Sequence, residues 1–99
     1  MATRAELEII WSKVEGHLKS AARLLPDQVR TGDERGTIEG YREFLAHNEL
    51  ELAFDELEAL GDANQVTGAY WEELTSAAAL MGLDAKATRC RSRVATTSS

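Results

Sequence analysis

The chain has a single cysteine, a single proline and few aromatics, which make up 6% of its 99 residues. A lone Cys90 excludes an intramolecular disulfide. One proline, Pro26, leaves long stretches without a break, and Val and Ile are too sparse for a sheet protein of this size. No apolar run approaches the roughly 20 residues needed to span a membrane. The opening MATRAELEII lacks the apolar core and small-residue cleavage site of a secretory signal, so the expected location is the cytoplasm. Metal-ligand spacings such as His-x-x-x-His or paired Cys-x-x-Cys do not occur, nor does a Gly-rich phosphate loop.

What is present is helix-forming and acidic. Hydrophobic residues account for 43% and charged residues for 28%, the balance of one globular domain, here expected over residues 1–93 with a disordered tail at 94–99. A domain of this size has a thin folding margin, about 5–10 kcal/mol. The net charge of −6 is unevenly spread. Residues 1–30 carry five basic and four acidic groups, residues 31–85 two basic and thirteen acidic, and residues 86–99 four basic and none acidic. The acidic middle repels nucleic acid and anionic membrane surfaces and favours a basic protein partner.

Thr3 and Glu6 have the Thr-x-x-Glu spacing of a capping box, and Leu7, Ile10, Trp11, Val14, Leu18, Ala21, Ala22 and Leu25 follow at steps of three and four. This predicts a first helix ended by Pro26. Residues 27–36 read as a polar loop with glycines at 32 and 36. A second helix is expected from Thr37 to Ala46, closed by Asn48 in the left-handed conformation, with Asn48 and Glu51 also capping the third. Leu50, Ala53, Phe54, Leu57 and Leu60 form the third stripe, with Gly61 as its stop. A fourth helix runs from Gly68 to Met81 and stops at Gly82. Leu83 to Arg93 forms a weak terminal helix. The expected fold is all-α, a small antiparallel four-helix bundle with that short fifth segment appended. Its core is expected to unite Trp11, Val14, Phe54, Leu57 and Leu74.

The chemistry-bearing residues are few. His17 borders the first stripe, and His47 sits at a helix end, where a cation suits the helix dipole. Cys90 lies between Arg89 and Arg91, which would lower its pKa. None of these has the neighbours of a nucleophile or general base. No catalytic residue, cofactor or metal is therefore expected. Glu39, Glu43, Glu51, Asp55 and Glu58 read as a solvated carboxylate face. At 100° per residue Leu52 points almost opposite the third helix's buried stripe, beside Asp55, Glu56 and Ala59. An apolar residue ringed by acids suits a basic partner, and the expected partner-binding surface is Glu43, Glu51, Leu52, Asp55, Glu56 and Ala59.

Leu24-Leu25-Pro26, the run Tyr41-Arg42-Glu43-Phe44-Leu45-Ala46-His47-Asn48-Glu49-Leu50-Glu51-Leu52-Ala53-Phe54-Asp55-Glu56-Leu57 and the later Leu80-Met81-Gly82 together resemble small immunity proteins of the MafI type, found beside bacterial polymorphic toxins. The resemblance spans roughly residues 24–82. It departs from the pattern in residues 27–36 and in the basic C-terminal segment. It implies a helical protein that binds and blocks a cognate toxin, often a nuclease. A nuclease domain is usually basic because it holds phosphate backbones. The residues alone also admit an acidic helical adaptor or regulatory subunit, or an enzyme with an unfamiliar carboxylate site.

Overall fold

The computed structural model describes residues 3–31 and 36–97. Its elements are α1 (Arg4–Arg23), α2 (Ile38–Ala46), α3 (Leu50–Ala63), α4 (Gly68–Leu80) and α5 (Asp84–Thr97), with no strand among the described residues. The all-α fold and the small bundle are as the sequence predicts.

Both halves of the Thr3–Glu6 capping box form and start α1. Its last turn closes when the Leu24 amide donates to the Ala21 carbonyl and the Leu25 amide to that of Ala22, just before Pro26. The Thr37 hydroxyl accepts from the Gly40 amide and starts α2. Asn48 is left-handed (φ 58°), and the Glu49 and Asn48 amides donate back to the Phe44 and Leu45 carbonyls, a Schellman closure. Gly82 (φ 73°) closes α4 in the same way through Leu83 to Ala78 and Gly82 to Ala79.

Three local expectations are corrected. Asn48 does not cap α3: committed to the turn, it leaves Glu49 at the cap position with no side-chain bond. Gly61 does not stop α3, which runs on to Ala63. The chain turns at Asn64, whose side-chain amide donates to the Leu60 and Arg30 carbonyls and accepts from the Arg30 amide. Finally, α5 is a full helix extending through Val94 to Thr97, where a disordered tail was expected; Ser98 and Ser99 lie outside the described residues. What holds it is a stripe of Leu83, Ala87, Cys90 and Val94, at steps of four, three and four, docked on the core.

The central helix is α4, packed against α1, α3 and α5, while α2 lies on α3. Cross-contacts fix the directions. Tyr70 reaches Leu57 and His17 reaches Glu73, while at the other end of α4 Leu80 shares a groove with Leu50 and Ile10. Arg93 returns to Trp71 after the 81–83 turn, so α4 runs antiparallel to the other three. Val14, Phe54, Leu57 and Leu74 are fully buried, as expected. Trp11 is not: it is 38% exposed. The 20-residue α1 is longer than the 13-residue α4. With His17 level with Glu73, the stretch before about residue 10 runs past the end of α4, and Trp11 sits at that edge, only partly covered.

Candidate functional site: a protein-binding surface

The acidic side of α3 is largely neutralised from within. Lys86 bonds Asp55 at 2.6 Å and Glu51 at 2.9 Å. Arg89 holds Glu58 through two nitrogens at 2.9 and 3.1 Å, and Arg93 spans Glu58 and Asp62 at 2.7 and 2.8 Å. Arg93 also lies 4.6 Å from the centre of the Trp71 ring, a cation–π contact. Two complementary ladders thus face each other, acids at 51, 55, 58 and 62 and bases at 86, 89 and 93. The four basic residues of the C-terminal segment stand apart from the acidic middle in sequence, yet three of them are its counter-ions.

Glu58, with its side chain only 12% exposed, is the centre of this array. Burial pushes its pKa up, but the hydrogen bonds and charges of Arg89 and Arg93 outweigh that and hold it below the ordinary value of 4.5. A depressed carboxylate contributes stability that is complete above its unfolded pKa and is lost as pH falls through the folded one. Thermal stability should therefore drop on acidification below about pH 4.5, and Glu58→Gln should flatten that drop. Equal losses of melting temperature in both proteins between roughly pH 6 and pH 3 would show that the clamp does not drive it.

Two of the expected partner-binding residues point inward. Glu56 is 9% exposed and accepts a hydrogen bond from the buried Gly36 amide, tying the end of the 27–36 loop to α3. Ala59 packs under the same turn: at Gly36 (φ 98°) an added Cβ would stand 2.8 Å from the Ala59 Cβ. Glu56 also meets Gly40 of α2, so both lie under the chain that leads into α2, which the helical wheel alone could not reveal. Asp55 is committed to Lys86. The loop residues 32–35, including Gly32, lie outside the described residues.

The remaining three stay at the surface. Leu52 is 42% exposed, Glu43 is exposed, and Glu51 keeps about half its side chain in solvent while bonded to Lys86. Gly40 abuts Glu56, and Glu43 and Leu52 each stand about one turn nearer the α2–α3 connection on their own helices. Among the described residues, Glu39, Glu43 and Glu49 form no ion pair.

A second feature adjoins this one across Glu51. Leu7, Ile10 and Trp11 of α1, Leu50 of α3, and Leu80, Met81 and Leu83 at the α4–α5 turn line an open groove of about 380 Å³, with Glu51 and Asn48 on its rim. Leu7 and Trp11 are both more than a third exposed. The sequence hid this groove because the stripe of α1 is continuous along its whole length and carries no mark of where its cover ends.

The other singled-out residues have structural posts. His17 Nδ1 lies 2.7 Å from Glu73, fastening α1 to α4, and His47 ends α2 with its amide donating to Glu43. Cys90 is fully buried, and burial, reinforced by Glu58, raises its pKa to about 11 against the partial pull of Arg93 and Arg89. The lowered pKa expected from flanking arginines is overturned, because the thiol faces the core. Among the described residues no group of three His, Cys, Asp or Glu side chains could hold a metal, and no helix is long and apolar enough to cross a membrane. Comparison with protein-family models, curated proteins and solved structures finds no match to this chain.

Proposed function

We propose that this chain is an immunity protein, which binds a basic toxin domain and blocks it without performing chemistry of its own. The observation that carries this reading is Leu52, a large apolar side chain held 42% exposed on the acidic helix α3, next in sequence to the half-exposed Glu51. The net charge of −6 attracts a basic partner over distance, and Leu52 supplies a spot that can be desolvated at the centre of contact. The MafI-like pattern over residues 24–82 supports the assignment of that partner as a toxin.

The test uses the product of the adjacent gene as partner, with association and dissociation followed at two salt concentrations. Glu43→Lys combined with Glu49→Lys should slow association and weaken its salt dependence, with the fold intact because neither residue is ion-paired among the described residues. Leu52→Ala should instead speed dissociation, by about 5- to 30-fold for a hot spot of 1–2 kcal/mol. Unchanged rates in both variants would place the interface elsewhere. Binding to a neighbouring regulator, with none to a toxin, would replace immunity by an adaptor role. Reversing Asp55 or Glu56 would not serve, since both hold the fold together.

A further inference from the structure

We infer that the groove beside Trp11 is an anchor site for a basic amphipathic helix, receiving one bulky apolar side chain between Trp11 and Met81. The inference rests on reading the chain as a partner-binding protein, though not on that partner being a toxin. The segments that line the groove, residues 7–11, 48–51 and 80–83, contain no Lys or Arg. They contain three carboxylates, Glu51 in the lining itself with Glu8 and Glu49 beside lining residues in sequence, while Glu6 and Asp84 stand one residue outside them. The basic groups that approach, Arg4 and Lys86, are already bonded to Glu8 and Glu51. Glu49 and Asp84 are exposed and form no ion pair among the described residues. An apolar floor within an acidic rim selects an apolar residue flanked by Lys or Arg.

The same rim excludes other occupants. A second copy of this chain would bring the same acids against these, and an anionic lipid surface would be repelled. The shape of the segment follows from the walls. They are helix flanks, with no strand edge among the described residues for an extended peptide to extend, so the fitting mode is a helix laid in a groove through residues spaced i, i+3, i+4 and i+7. Tryptophan is the residue most enriched at the energetic centre of such contacts, and Trp11 is the exposed one of the two here, Trp71 being buried.

That difference provides the readout. The intact protein is titrated with three synthetic peptides of about four helical turns. One has leucine along one face and lysine elsewhere, one has glutamate in place of lysine, and one has the first composition with its leucines scattered. The first should produce a saturable blue shift of tryptophan emission that is absent in Trp11→Phe and falls away with added salt. Trp11→Ala, and separately Glu49→Lys with Asp84→Lys, should each weaken binding about tenfold or more, with circular dichroism unchanged. No saturable shift with the lysine peptide, equal binding of all three peptides, or dimerisation of the protein through this face would overturn the inference. If the neighbouring toxin binds and Trp11→Ala leaves that affinity unaltered, the groove assignment fails while the immunity reading stands. If the peptide binds and no neighbouring product does, the reverse holds.

Discussion

Phe54→Ala should cost about 3–5 kcal/mol of folding stability, a large part of the whole margin of a domain this size. Phe54 is fully buried on α3, in one cluster with Val14, Leu18, Leu57 and Leu74 from three helices. Truncation removes the transfer energy of the ring and leaves a void that packed neighbours can only partly fill. The melting midpoint should fall by roughly 12 °C or more, at about 4–8 °C per kcal/mol for a domain of this length. A secondary effect is local: Lys86 Nζ lies 5.8 Å from the ring centre and loses that contact while keeping Asp55 and Glu51. An unchanged midpoint would mean that α3 presents another face to the core.

Gly61→Leu should be nearly as damaging, about 3 kcal/mol, at the upper end of overpacking costs. A Cβ at Gly61 would stand 2.6 Å from Trp71 Cη2 and 2.7 Å from Tyr70 Cε1. Neither ring can yield easily. The Tyr70 hydroxyl donates to the Leu57 carbonyl, Arg93 covers Trp71, and the two rings meet edge-to-face at 5.4 Å. Gly16, in the middle of α1, is the control. Nothing lies within 4 Å of its virtual Cβ, so Gly16→Ala should raise stability by about 0.5–1 kcal/mol through helix propensity. Denaturant midpoints moving in opposite directions would support the packing account, whereas two stabilising glycine replacements would refute it.

The contrast between those glycines shows where sequence reading reaches and where it stops. Signals acting within one or two turns were legible: the Thr3–Glu6 box, left-handed Asn48, Gly82 after α4, and the stripe of α3. Residues whose roles depend on a distant element were misread. Gly61 resembles a stop signal, and only the rings arriving from α4 explain a glycine inside a helix. Glu56 has the pattern of a surface acid, and its acceptor role requires the Gly36 amide twenty residues away in sequence. The ion-pair ladders joining α3 to α5 did have a readable signature, because acids and bases each recur at steps of three and four. Summing charge by segment discarded that periodicity. At the surface, the exposure of Leu52 was legible from helical phase, whereas that of Trp11 was not, because phase does not report length of overlap.

The placement of α4 between α1 and α5 also bears on the order in which the chain comes together. Residues 47–49 join α2 to α3 and residues 81–83 join α4 to α5, so each of these hairpins closes over a three-residue connection. The first helix has no such neighbour: it must find α4 across residues 24–67, a 44-residue span. Loop-closure entropy makes that encounter costlier by roughly 2 kcal/mol than either turn. The expected sequence is two hairpins first, with α1 seated late on a preformed surface. Truncating Val14 or Leu18 should then accelerate unfolding far more than it slows folding. Because α1 also forms one wall of the Trp11 groove, that surface is complete only when the slowest contact of the fold has been made.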